Sequence, residues 1–287
     1  MSSVSLQARA KINLSLDVTG LRDNGYHDVR MVMQNIDLYD EINIEGIDSG
    51  IEIVTDSMDI PVNEDNLIYK AARLMIDTYK IEAGVRVSLK KNIPVAAGMA
   101  GGSTDAAAVI NGMNELFSLN IDKKELMDLS VAIGADVPYC ILGGTALSEG
   151  IGEVLTSISA MPSCYILIGK PDISVSTKYV YTEFDKLNNV NHPDVDAMVA
   201  AINDNDLSAV SRLLGNVLEG VTQKEYPVIG EIKECMVNNG AMASLMSGSG
   251  PTVFGIFNSE DTAKKAKEAL IARNIARDVV LTRPYNA

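Results

Sequence analysis

Pro94-Val95-Ala96-Ala97-Gly98-Met99-Ala100-Gly101-Gly102-Ser103-Thr104-Asp105 is the stretch around which the rest of the chain is organised. Before it, Val85 to Leu89 alternates as a strand does; after it, Ala106, Val109, Ile110, Met113 and Phe117 recur at helical spacing. The order strand, glycine-rich loop, helix puts unpaired backbone N–H groups and the positive end of a helix dipole at the loop. Glycines there let an anion approach the backbone closely. Residues Gly98 to Thr104 therefore read as a candidate phosphate cradle. The loop has neither the Gly-Lys-Ser/Thr ending of a P-loop nor the Gly-x-Gly-x-x-Gly order of a dinucleotide fold. Such glycines also serve close packing, and loop composition alone leaves both readings open.

Upstream, every even position from Val4 to Val18 is apolar or Ala and every odd position is polar, the pattern of a half-buried strand. It assigns Ala8, Ala10, Ile12 and Leu14 to the core and Arg9, Lys11 and Asn13 to the opposite face. Asp23-Asn24-Gly25 reads as a tight turn, with Tyr26 and His27 directly behind it. Alternation around Ile42 and Ile44 and around Ile51 and Ile53 extends an antiparallel sheet. Asp65 or Asn66 can cap a helix whose apolar positions (Leu67, Ala71, Met75; Ile68, Ala72, Ile76, Tyr79) recur until Gly84. Asp122 and Glu125 stand at capping-box spacing before Leu126, Leu129 and Ile133, and Gly134 is a C-terminal stop. Asp136-Val137-Pro138 follows. Taken alone, Asp136 reads as a capping or turn residue and Lys11 as part of a solvated strand face.

After about Gly152 the rhythm changes. A strand at Tyr165 to Ile168 is followed by helices from Thr177 to Asn238, strands at Ala241 to Met246 and Thr252 to Phe257, a helix from Asp261 to Ala272 and a strand at Val279 to Thr282. Ser247-Gly248-Ser249-Gly250-Pro251 is a second glycine-rich turn. This order suits an antiparallel sheet with helices on one face, so the expected class is α+β.

With 287 residues the chain has room for one large or two ordinary domains. No apolar run approaches the roughly 18 residues of a spanning helix, and the first residues show no secretory pattern, so a soluble, cytoplasmic protein is expected with no membrane partner. The formal charge is −14, from 24 Lys and Arg against 38 Asp and Glu, which argues against a nucleic-acid partner. Three widely spaced cysteines exclude a disulfide framework, and two distant histidines exclude a multi-histidine zinc site. Catalysis is expected to rest on Lys, Asp and backbone groups.

Four segments taken together are more specific: Ala10-Lys11-Ile12-Asn13-Leu14, the loop from Pro94 to Ala108, Gly134-Ala135-Asp136-Val137-Pro138 and Ser247-Gly248-Ser249-Gly250-Pro251-Thr252. In this order they resemble the GHMP kinase superfamily, over nearly the whole chain. The stretch from about Asn188 to Tyr226 carries no recognisable motif. Met99, Ala100 and Gly102 depart mildly from the generic loop. Gly25-Tyr26-His27 and the Asp136 segment resemble the branch whose acceptor is a diphosphocytidyl-linked methylerythritol of non-mevalonate isoprenoid synthesis.

The resemblance implies a two-domain α+β kinase fold: a nucleotide-binding domain over 1–155 and a ferredoxin-like domain over 156–287. It implies transfer of the γ-phosphoryl group of ATP to a hydroxyl, with magnesium accompanying the nucleotide and no metal ligand assigned. Asp136 matches the family's catalytic base and Lys11 its phosphate-facing lysine. Gly98, Gly101, Gly102, Ser103 and Thr104 match the phosphate cradle, and Asn66, Leu67, Lys91 and Pro94 the rest of the ATP site. Tyr26, His27 and Tyr181 match the family's cytidine contacts, Asn13 lies near the methylerythritol, and Thr177 is a further acceptor-binding residue. Two aromatic rings can sandwich a base, and a histidine beside them can bond its edge. Another small-molecule GHMP kinase, acting on homoserine or mevalonate, is the nearest rival, and Tyr26-His27 weighs against it. A non-catalytic sensor on the same fold is the other rival, and the joint presence of Lys11 and Asp136 weighs against that.

Overall fold

The computed structural model describes residues 2–286. The chain divides into two compact units that interleave in sequence. One comprises the residues up to Ala10, Leu38–Val95 and Ala100–Gly143; the other comprises Lys11–Asp37, Ala96–Met99 and Gly144 onward. Two long strands, β1 (Ser3–Leu21) and β2 (His27–Ile47), contribute residues to both.

The first unit adds β3 (Ile51–Thr55), α1 (Leu67–Tyr79), β4 (Gly84–Lys90), α2 (Gly101–Leu116), α3 (Lys123–Ser130) and α4 (Val137–Leu142). Its strand order is β3-β4-β2-β1. Strand β4 runs antiparallel to β2, from Glu41 opposite Lys90 to Ile47 opposite Gly84, but parallel to β3. The expectation that Ile51 and Ile53 extend the sheet antiparallel is therefore corrected. The connection from β3 to β4 passes through α1, and a helical crossover returns a strand in the same direction.

Asn66 is the cap of α1, accepting the Ile68 N–H at 2.9 Å, and Ile68, Ala71, Ala72 and Met75 form its buried stripe. The helix stops at Tyr79 because Lys80 turns left-handed, earlier than the Gly84 expected from periodicity. Asp122 caps α3 through the Glu125 N–H at 2.8 Å, as the capping spacing requires. Helix α2 is buried almost all round, from Thr104 to Ile110 and at Gly112 and Met113. It packs on α1 and α4 and runs through a core that includes Ile42, Ile44, Ile68, Val85, Val87, Val109 and Ile110. Burial of each large aliphatic side chain contributes about 1.5–3 kcal/mol.

The second unit adds β5 (Thr145–Glu149), β6 (Val154–Ser157), β7 (Tyr165–Lys170), α5 (Thr177–Phe184), α6 (Val195–Asn203), α7 (Leu207–Arg212), β8 (Gly215–Asn216), α8 (Glu219–Glu225), α9 (Val228–Asn238), β9 (Ala243–Met246), β10 (Val253–Phe257), α10 (Glu260–Arg273) and β11 (Asp278–Thr282). The antiparallel sheet expected for this half is present, in the order β11-β7-β10-β9. Helices α9 and α10 cover one face, with Leu167, Val253 and Phe257 packed against Ile229, Ile232, Met236, Ala266 and Leu270. The hairpin of β5 and β6, which the sequence pattern did not reveal, pairs β5 with β2 from Met31 opposite Ser148 to Gln34 opposite Thr145.

Strand β1 corrects one expectation directly. The middle of its polar face is not solvated: Lys11 is 4% exposed and Asn13 and Ser15 are fully buried, while Ser5, Gln7 and Thr19 towards the ends are exposed. Alternation reports which residues share a face, and here the middle of the second face is covered too. The Asn13 N–H donates to Ser247 Oγ at 3.3 Å, and Asn13 Nδ2 lies 3.4 Å from Met31 Sδ.

Candidate active site

In the first unit the expected nucleotide residues gather around the start of α2. Ala100 precedes the helix in a left-handed conformation and no side chain caps it, so a ligand can take up the leading N–H groups. Gly101 lies against the end of Lys91: a Cβ at 101 would stand 3.0 Å from Lys91 Nζ and 3.3 Å from Ile93 Cγ2. A Cβ on Gly102 would meet only Leu67 Cδ1, at 3.5 Å. Asn66 begins α1 one residue before Leu67, and Thr104 is 3% exposed in α2. Pro94 and Ser103 are half-buried.

Lys91 is more deeply engaged than its expected role suggests. Its side chain is 7% exposed, its ammonium forms a short ion pair with Asp40 Oδ2, and Asp105 Oδ2 lies 3.1 Å away. Burial pushes the Asp105 carboxyl well above the ordinary carboxylate range, with Lys91 opposing that rise and the charge of Asp40 adding to it. Neither aspartate was singled out from sequence. A signal existed for Asp40, which falls in phase with Leu38, Ile42 and Ile44 on the core face of β2.

Asp136 occupies the N-cap position of α4 at φ −82 and ψ −15, and its carboxylate makes no cap bond to that helix. The capping reading therefore does not describe its side chain.

In the second unit, Lys11 is joined to the loop through its backbone N–H, which donates to Met99 O at 3.1 Å, while Lys11 Nζ donates to Asn13 Oδ1 at 2.6 Å. Gly98 has φ +70, and a Cβ on it would stand 2.5 Å from Ser247 O, so only glycine lets this turn close on the second glycine-rich turn. Ser247 Oγ completes the closure by donating to Gly98 O at 3.1 Å. Lys11, Asn13, Gly98 and Ser247 thus form one bonded group. Thr177, first residue of α5, pairs with Ser249 at 2.9 Å.

The acceptor residues form a second group. The rings of His27 and Tyr181 lie with centroids 4.7 Å apart at 36°, and His27 Nε2 is 2.7 Å from Asp185 Oδ1. Tyr26 is 58% exposed beside them in sequence, a large aromatic left open to a ligand face. Asp185, like Ser247 and Ser249, was not among the expected site residues; it becomes visible only when α5 is folded.

A glycine loop opening a central helix, held at Gly98 by a second such turn and joined by a lysine on the first strand, belongs to a class of small-molecule kinases. The chain is a member of the GHMP kinase family: residues 66–144 match the model "GHMP kinases N terminal domain" and residues 198–276 the model "GHMP kinases C terminal". A relative from Lachnospira eligens named 4-diphosphocytidyl-2-C-methyl-D-erythritol kinase is 54% identical over 286 residues, 99% of each chain. A crystal structure of 4-(cytidine 5'-diphospho)-2C-methyl-D-erythritol kinase superposes with a TM-score of 0.84 at 31% identity, covering 99% of this chain and 100% of that one. A homoserine kinase from Cytophaga hutchinsonii superposes with a TM-score of 0.80 over 98% of this chain and 95% of its own, at 22% identity, a likeness of fold alone. No helix among the described residues is long and apolar enough to cross a membrane.

Proposed function

We propose that the protein transfers the γ-phosphoryl group of ATP to the 2-hydroxyl of 4-diphosphocytidyl-2-C-methyl-D-erythritol, giving the 2-phosphate and ADP in non-mevalonate isoprenoid synthesis. The observation that carries the acceptor's identity is the His27–Tyr181 ring pair bonded to Asp185, a base-sized recognition group beside the exposed Tyr26. Homoserine and mevalonate have no ring for it to recognise.

In this reading the leading N–H groups of α2, with Gly98, Gly101, Gly102, Ser103 and Thr104, hold the phosphates, and Asn66, Leu67, Lys91 and Pro94 line the rest of the ATP site. Asp136 accepts the proton of the acceptor hydroxyl as that oxygen attacks the γ-phosphorus and the bond to the β–γ bridging oxygen breaks. Lys11, oriented by Asn13, supplies positive charge to the transferring group. Tyr26, His27, Thr177 and Tyr181 hold the acceptor. Magnesium is a hard cation that binds phosphate oxygens, and we assign it no protein ligand. The net charge of −14 repels both anionic substrates at long range, yet screening over about 10 Å leaves local cations and N–H groups in control. The same reading keeps a nucleotide-binding domain over 1–155, a second domain over 156–287 and a cytoplasmic location.

Incubation with ATP, magnesium and a panel containing the diphosphocytidyl acceptor, free methylerythritol, homoserine and mevalonate, with products read by mass, tests the assignment. Phosphorylation of the first alone is expected. Preferential phosphorylation of homoserine or mevalonate overturns it.

A further inference from the structure

Three charged side chains of the first unit are buried together at the start of α2, and the transfer chemistry uses neither of the two acids. The side chain of Asp40, on β2, is 0% exposed, that of Asp105, on α2, 4%, and that of Lys91, just past β4, 7%. The ammonium of Lys91 touches both carboxyls, but the two are not equivalent. Asp40 Oδ1 accepts two backbone N–H groups, from Asn92 at 2.6 Å and from Ile93 at 2.8 Å. Asp105 Oδ1 is buried with no hydrogen-bond partner. An ionised carboxylate survives burial only when donors satisfy its oxygens, a condition Asp40 meets and Asp105 does not. One ammonium, moreover, neutralises only one carboxylate.

We propose that this protein holds Asp105 as the neutral carboxylic acid, a positioning residue whose proton keeps the Asp40–Lys91–Asp105 cluster at zero net charge against the phosphate loop and thereby sustains nucleotide affinity. The closeness of Gly101 to Lys91 Nζ puts the cluster directly at the helix end. An ionised Asp105 would add a full negative charge one turn from the N–H groups assigned to phosphate, opposing the anion they bind. The affinity half of this inference rests on the proposed nucleotide site; the location of the proton does not.

On the strand side, the exposed Asp56 accepts the Lys91 backbone N–H at 3.0 Å through Oδ1, and Glu41 and Lys90, next to Asp40 and Lys91 in sequence, are exposed and paired with each other. Helices α1, α3 and α4 pack against α2. Lys70, Arg73 and Asp77 of α1 and Lys123, Lys124, Glu125 and Asp128 of α3 are exposed; α1 also carries the half-buried Tyr69 and Tyr79. Helix α4 carries Tyr139 and Cys140 and no charged residue, with the half-buried Asp136 at its N-cap. The largest influence on Asp105 is burial, which favours the neutral acid, as does the charge of Asp40.

Infrared difference spectroscopy of folded wild type minus D105N near neutral pH reads the proton directly. The expected result is a protonated-acid carbonyl stretch in wild type that D105N lacks; its absence from wild type overturns the proposal. D40N leaves Lys91 facing Asp105 alone, so Asp105 should ionise and the band should vanish although Asp105 is unchanged; a band that persists counts against the shared-ammonium argument. Stability gives a check that needs no D40N protein. Because the folded carboxyl is raised, its contribution is full below the unfolded value near 3.9 and is lost as pH rises through the folded value. The folding constant of wild type relative to D105N should therefore fall about tenfold per pH unit above pH ~4, and a flat ratio overturns the proposal. By calorimetry, D105N should bind ATP within about threefold of wild type near pH 7, whereas binding tightened about tenfold means that wild-type Asp105 is ionised and the proposal is wrong. If the acid band is present but neither protein binds ATP, the nucleotide reading has failed and the affinity half falls with it, while the proton assignment stands.

Discussion

His27 Nε2 stands 2.7 Å from Asp185 Oδ1, and this contact decides how the imidazole presents its other nitrogen. A carboxylate only accepts, so Nε2 carries the hydrogen and Nδ1 of the neutral ring is left as an acceptor. An acceptor suits the exocyclic amino group of cytosine and repels the carbonyl of uracil in the same place. Asp185→Ala should lower kcat/KM for the cytidine acceptor roughly tenfold, the partly solvated bond being worth less than a buried one, and narrow the preference over the uridine form. The KM for ATP should not move. Side-by-side kinetics with both acceptors measures it, and an unchanged preference removes Asp185 from recognition.

Asp136→Asn should keep ATP binding near wild type while turnover falls about a hundredfold to ten-thousandfold, the usual contribution of a general base. Turnover within threefold of wild type would withdraw the carboxylate from proton transfer.

Lys11→Met preserves the buried aliphatic stem, since Lys11 is 4% exposed, and removes the ammonium that bonds Asn13. The melting temperature should shift little and kcat should fall roughly 10²–10³-fold, the cost of a lost transition-state donor. A large loss of stability with kcat intact would make Lys11 a packing residue.

The two loop glycines should fail differently. Gly98→Ala forces a Cβ within 2.5 Å of Ser247 O at a positive φ, so it should destabilise the fold by about 1–3 kcal/mol in urea titrations. Gly101→Val should instead press on Lys91 Nζ and Ile93 and weaken ATP binding, with some loss of stability as well because Lys91 neutralises the buried Asp40. ATP affinity unchanged in Gly101→Val, by calorimetry, would assign this glycine to packing alone.

Tyr79 donates to Glu125 at 2.9 Å, and burial first, then that carboxylate, push its phenol up to about 12. Because the folded value is raised, the contribution of this phenol is full below its unfolded value near 10 and is lost as pH rises from there to about 12. Tyr79→Phe should cost roughly 1 kcal/mol at neutral pH and show a flatter loss of stability over that alkaline window. Chemical denaturation at several pH values checks both.

Much of this architecture is legible because its signals are local. Asn66 and Asp122 cap helices through N–H groups two and three residues away, and the stripe Ile68, Ala71, Ala72, Met75 needs no knowledge of what it packs against. In the second sheet only β9 and β10 are joined by a short turn, and their antiparallel pairing is legible for that reason; β7 meets β10 and β11 across long helical connections. The motifs that carry the kinase resemblance are likewise contiguous. The opposite case is the polar face of β1. Alternation separates Lys11 and Asn13 from Ile12 and Leu14 but is silent on whether a second layer covers them; Ser247, distant in sequence, does so.

By itself, then, the sequence determined the α+β class, most helices, the glycine loop and the kinase family, since each is written in spacings of a few residues. The tertiary structure alone decided that β3 lies parallel to β4, that Asp185, 158 residues away, orients His27, and that Asp40, 51 residues from Lys91, shares its ammonium with Asp105. A charge state depends on burial and on partners that arrive from distant strands, and no local pattern encodes the distance at which they meet.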